Sequence, residues 1–332
     1  MFIRTFRNYR TEILFRLPFW AIFLWAFAFT TEQNFYYPPS SPLFDYLSGI
    51  ITQNALLNKA IAFLIVLFSA YLLSYVINYH QLLPSKSYLP AFFYVLFLSY
   101  KPELLDFNRI ILLNLVYILV FDQLFRTYKK ELADNNIFNA GFLCGIAGLI
   151  FLSASGMLLV VFISLIILRT PSLREWLVAI IAFLVPFIYF VSYYFFTDRF
   201  VLVFYIFKEE LIFKGFSIFF DGKLETILEF TLWGFFILSI LFYLFRKTPQ
   251  LIVSQYTNSV IVLFILFAAA IGYAFEQNAC FADFAIPASL LISHFVLQVK
   301  KISFVEFLLW CIVLLIIATH YEEQIFVFLN LK

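Results

Sequence analysis

The chain reads as an all-α, polytopic transmembrane helical bundle of about eleven helices, by the length a helix needs to cross a bilayer. Windows of about 20 residues fall into apolar runs separated by short polar hinges, a pattern that hydrocarbon rewards. Of the 332 residues, 64% are hydrophobic and only 13% charged, and the mean hydropathy is +0.96. A soluble globule of that length would have too little polar surface to stay in solution. The basic residues also gather at alternate hinges, as the positive-inside rule requires of a chain threaded back and forth.

The first span, 13–29, follows Arg4, Arg7 and Arg10, and Arg16 can snorkel to the same interface. This places the N-terminus in the cytoplasm. Ala26-Phe27-Ala28 imitates a signal-peptidase site, yet the later threading depends on this span, so it reads as an uncleaved anchor. The segment 31–58 follows on the outer face. In it, Tyr36-Tyr37-Pro38-Pro39-Ser40-Ser41-Pro42 makes a rigid extended turn, and the apolar residues of 43–52 suit a helix lying in the interface.

Six spans come next, at 59–79, 88–100, 109–125, 137–152, 156–168 and 175–196. A second longer outer segment, 198–223, mixes acidic and basic residues with Phe and Ile and also reads as interfacial. Four more spans, 224–245, 256–275, 281–299 and 302–320, complete one transmembrane domain over 1–332. Alternate threading puts 14 of the 22 basic residues inside, at hinges such as Lys86, Arg126-Lys129-Lys130 and Lys300-Lys301, and places the C-terminus outside. Several spans are shorter than the usual crossing length and must thin the bilayer or stop beneath a cavity. Gly141, Gly145 and Gly148 share one helix face, where they let a neighbouring backbone approach closely.

The net charge of +2 arises from 22 basic and 20 acidic residues, which offers nothing to attract nucleic acid. Cys144, Cys280 and Cys311 are an odd number without metal-ligand spacing. The 48 Phe and 20 Tyr fit a codon bias as readily as an aromatic binding surface.

Ionisable groups near hydrocarbon carry the functional interest. Asp122 and Arg126, like Glu12 and Arg16, stand four apart and read as helical ion pairs. His294 and Glu306 flank the Lys300-Lys301 turn at similar depth, spaced to pair or to relay a proton. The outer face gathers carboxylates, among them Glu32, Asp45, Glu103, Asp106, Glu229 and Asp283, which would serve a divalent cation or simply be solvated. No nucleophile elbow, phosphate-binding glycine loop, HExxH or CxxC occurs, and no cofactor is specified.

The order of elements, with Ala140-Gly141-Phe142-Leu143-Cys144-Gly145-Ile146-Ala147-Gly148-Leu149 and the late Ala285-Ile286-Pro287-Ala288-Ser289-Leu290-Leu291, resembles the polyprenyl-phosphate-sugar glycosyltransferases of the GT-C fold. The resemblance covers about two thirds of the chain and rests on hydropathy and small-residue patterns. It implies a carboxylate in the first outer loop acting as general base or metal ligand, a role for which Glu32 and Asp45 are the candidates. The family's Asp-Glu pair is missing there. Where the family's late helix begins with an Arg-Tyr for the donor phosphate, this chain has Ala282-Asp283 before Phe284, an anion in place of a cation. The chain also resembles an uncharacterised family of polytopic inner-membrane proteins of Bacteroidota.

These readings lead to the expectation of a bacterial inner-membrane, multi-pass protein: a non-catalytic GT-C-like subunit or scaffold in envelope assembly or secretion, held in a membrane-protein complex by its outer loops. An enzyme using a polyprenyl-linked lipid, with Asp45 or Glu32 as base, is the second class. A transporter or flippase, for which His294 and Glu306 speak, is the third. The bilayer is a partner in all three.

Overall fold

The computed structural model of the chain describes residues 2–7, 12–30, 42–51, 54–128, 130, 132–168, 172–198, 200, 224–245, 281–299 and 302–321. Among the described residues the secondary structure is helical throughout, with no strand. The first half holds α1 (Phe2–Arg7), α2 (Glu12–Thr30), α3 (Pro42–Ile51), α4 (Ala55–Tyr79), α5 (Leu89–Leu98) and α6 (Arg109–Phe125). The second holds α7 (Asp134–Ile150), α8 (Met157–Leu168), α9 (Leu173–Phe196), α10 (Leu224–Phe245), α11 (Ala285–Gln298) and α12 (Ile302–His320). Short 3-10 turns, Pro102–Leu105, Leu152–Gly156 and Phe281–Phe284, lead into α6, α8 and α11.

Four stretches are long and apolar enough to cross a membrane: Ala55–Tyr79, Leu173–Phe196, Leu224–Tyr243 and Phe281–Gln298. Shorter apolar helices lie at Phe15–Ala26, Leu89–Leu98, Leu152–Leu168 and Val305–His320. The expected span 256–275, residues 201–223 of the second outer segment, and Glu32 lie outside the described residues.

Local chemistry sets the helix boundaries. Asn54 caps α4 by accepting from the Leu56 N–H, which starts the helix four residues before the apolar run. Ser172 and Glu175 form a reciprocal capping box on α9. Asn108 caps α6 through Ile111 N–H and ties the hinge by donating to the Asp106 carbonyl at 3.0 Å. The interfacial helix expected over 43–52 is present as α3, with Phe44 buried and stacked on Phe107 while Tyr46 and Ile50 stay exposed.

Two short helices occupy the centre. Every residue of α5 is buried, and 89% of the Phe281–Gln298 stretch is enclosed by protein, against 17% for Leu173–Phe196. At 1.5 Å per residue the ten residues of α5 rise about 15 Å, half a hydrocarbon core. It is thus a core helix that stops inside the bundle. It packs on α11, with α4, α2 and α10 around the pair. Aromatic rings fill the junction: Trp233 of α10 meets Phe281 and Phe284 edge-on at 5.2 and 4.8 Å, and Phe97 of α5 meets Phe281 at 5.2 Å.

On the flank, α7 lies against α6 and α9. A Cβ on Gly141 would stand 2.5 Å from the Ala179 carbonyl, and one on Gly145 would strike the Phe183 carbonyl and the Pro186 ring. Only glycine permits that approach, and dispersion between closely packed backbones is what joins helices in a solvent as apolar as they are.

Candidate functional site

Polar side chains gather at the two ends of the central pair. At one end α5 terminates in Ser99, Tyr100 and Lys101, and Pro102 then opens a 3-10 turn because it cannot continue the preceding pattern of donors. Ser99 Oγ accepts from the Trp25 Nε1–H of α2 at 2.9 Å and donates to the Val95 carbonyl. Both side chains are fully buried.

The Phe281 N–H, at the start of the turn before α11, lies 3.1 Å from both the Tyr100 hydroxyl and Glu229 Oε1 of α10. Glu229 Oε2 pairs with Lys101 Nζ at 2.9 Å, the two side chains being 18% and 20% exposed. From α12, Thr319 Oγ1 reaches the Tyr100 carbonyl, and the buried His320 ring is hydrogen-bonded to the Ser99 backbone. Four helix ends therefore meet on residues 99–101.

The opposite end is built around Asp122 near the C-terminus of α6. Its Oδ2 accepts from Arg126 Nε at 2.8 Å, one helical turn on, and its Oδ1 lies 3.0 Å from His80 Nε2 at the end of α4. Arg126 also lies over the Tyr79 ring, and His80 packs edge-on to Tyr79 and against Phe125. The Asp122 hydrogen bond raises the already high pKa of Arg126, fixing it as a cation.

The chain leaves α4 through Gln81, whose φ of 55° is left-handed. It then returns to α5 along a loop clipped by Asn78. That side chain donates to the Ser74 and Ser87 carbonyls and accepts from the Ser87 N–H.

The structure places the sequence candidates apart from these two clusters. Asp45 is half-buried in the first turn of α3, and its carbonyl accepts from Ser48 Oγ. Asp283 lies on the turn before α11, beside Tyr117 of α6. His294 is hydrogen-bonded to Gln298 at 2.9 Å and meets Tyr243 of α10 edge-on, while Glu306 is half-buried on α12. Asp45 sits on an element packed against α4 and α7, whereas Asp283 belongs to the central junction.

Two helical pairs expected from spacing are present: Asp122–Arg126, and the exposed Glu12–Arg16 at 4.0 Å. Lys101, His80 and His320 were not singled out by the sequence; a lone polar residue closing an apolar run was the signal for each. Among the described residues no group of three or more His, Cys, Asp or Glu side chains could hold a metal ion.

The chain matches no family model, no curated protein and no solved structure. The chemistry of the two clusters must therefore be read from their own geometry. Ser99, Lys101, Glu229 and His320 are residue types that elsewhere carry acid–base or nucleophilic work. Here Ser99 is committed to Trp25 and Val95, Glu229 to Lys101 and Phe281, and His320 to the Ser99 backbone. Bonds of this kind hold helix ends together, since a polar group in a low-dielectric interior is costly unless paired.

Proposed function

We propose that this chain is a non-catalytic, membrane-embedded scaffold: a helical subunit of a bacterial envelope-assembly or secretion complex, resident in the inner membrane. The observation that carries the reading is the knot at residues 99–101. There the side chains best suited to chemistry are consumed in joining α2, α5, α10 and α12 with the Phe281 turn. A solid central pair of helices tied at its end supports a rigid platform better than a substrate chamber. The GT-C resemblance agrees with a scaffold whose catalytic residues have been replaced, since Asp283 stands where that family places a cation for phosphate.

The test is mild-detergent affinity purification of the tagged full chain from its own membrane, with mass spectrometry of the eluate. A partner protein recovered in near-equal amount is expected. Elution of the chain alone overturns the scaffold reading. Loss of an envelope glycan in a folded Asp45→Asn variant would do so too, by pointing to transfer from a lipid-linked precursor.

A further inference from the structure

At the Arg126 end, a half-open cleft runs between α4, α6 and α11, enclosed by side chains such as Leu73, Ile77, Ile118, Phe125, Pro287 and Leu290. Its lining is wholly apolar, and it spans about 370 Å³ of open space. In water such a cleft would collapse or be covered. In a bilayer it is matched by an acyl chain, which fills irregular apolar space at little conformational cost.

The polar cluster adjoins this cleft. Phe125 lines it and its ring lies 5.3 Å from that of His80, which in turn is bonded to Asp122. Arg126 follows Phe125 directly. Asp122 occupies the Nε edge of the guanidinium and Tyr79 one face, while the side chain remains 35% exposed. A guanidinium carries five N–H donors in a planar fork. The terminal Nη edge that Asp122 does not use is therefore held in fixed orientation beside the cleft, in the geometry that accepts phosphate bidentately.

Asp122 neutralises one charge, yet the surrounding hinge adds Lys130 one turn beyond Arg126 and Lys86 on the loop that delivers Leu82 to the cleft wall. The local field favours an anion.

We propose that this end of the bundle is a binding site for one anionic phospholipid, with an acyl chain in the α4–α6–α11 cleft and the phosphodiester on the Nη edge of Arg126. Asp122 and His80 are positioning residues, holding the fork by its Nε. The site is independent of the scaffold reading and stands or falls separately from it.

The purified, delipidated full chain in nonionic detergent is titrated with phosphatidylglycerol, phosphatidylcholine or inorganic phosphate, and retained lipid is counted by native mass spectrometry. One phosphatidylglycerol per chain is expected to be retained in preference to phosphatidylcholine. Arg126→Gln should weaken that retention about tenfold, the worth of a charge-assisted hydrogen bond. Leu290→Phe keeps the cation but fills the cleft, and should also lose the lipid, with an unchanged melting temperature. Should Arg126→Gln fail to fold, Arg126→Lys retains the charge without the fork and is expected to bind at intermediate strength.

Equal retention by wild type and Arg126→Gln, or by wild type and Leu290→Phe, overturns the site. Equal binding of the two lipids removes the charge selection. Displacement of phosphatidylglycerol by inorganic phosphate would mean a free-anion site instead.

Discussion

Glu229 accepts from the Phe281 N–H with one oxygen and pairs with Lys101 through the other, so one carboxylate joins α10 to both the end of α5 and the start of the α11 turn. Removing it takes away two charge-assisted bonds in a site less than one-fifth exposed. We expect Glu229→Ala to cost about 2–4 kcal/mol, and Glu229→Gln roughly half of that because an amide oxygen still accepts from Phe281. Thermal unfolding of both variants in detergent checks the order; equal losses would mean that the Phe281 bond contributes nothing. At this scale the sequence is legible only within one helix. Asp122 and Arg126 declare themselves by a spacing of four. His80, 42 residues from Asp122, and Lys101, 128 from Glu229, meet only through tertiary register, which no local pattern encodes.

Between elements, the glycine face of α7 decides how closely α9 can lie. Gly145 is the tightest point, since a Cβ there would strike the Phe183 carbonyl and the Pro186 ring, both parts of a stiff helix that cannot swing aside. Gly145→Ala is expected to destabilise by about 1–3 kcal/mol despite the better helix propensity of alanine. Gly234 on α10 supplies the control: a Cβ there meets nothing within 4 Å, so Gly234→Ala should be neutral or stabilise by up to about 1 kcal/mol. Melting temperatures that move in opposite directions support the packing argument; a stabilised Gly145→Ala would refute it. The glycine spacing was readable in the sequence, and so were most helix bounds, 109–125 and 302–320 agreeing with α6 and α12 to the residue. That α5 and α11 are enclosed by protein was not. Lipid and protein interior are equally apolar, so a Phe-rich run such as Leu89–Leu98 carries no period that tells one surrounding from the other.

For the whole molecule, the two polar ends turn orientation into a measurable property. Lys86, Arg126 and Lys130 lie at the end opposite Lys101 and Glu103, and their positive excess predicts that the Arg126 end faces the cytoplasm. Glu103 and Lys86 are both exposed, one at each end, which makes them suited to cysteine accessibility. In a chain whose three native cysteines are replaced by alanine, Glu103→Cys should react with a membrane-impermeant maleimide in intact spheroplasts. Lys86→Cys should react only after the membrane is opened. The reverse pattern would invert the threading and put the Arg126 cleft in the outer leaflet. Labelling of both sites in intact spheroplasts would mean that the 10-residue α5, about 15 Å long, does not separate the two faces. The predicted pattern instead requires the α4–α5–α6 hairpins to divide the compartments although their central helix is too short to cross alone. That is feasible because α5 is buried on every residue, so protein rather than lipid surrounds its ends and satisfies the backbone there. The Asn78 clip at one end and the Asn108 cap at the other supply those bonds.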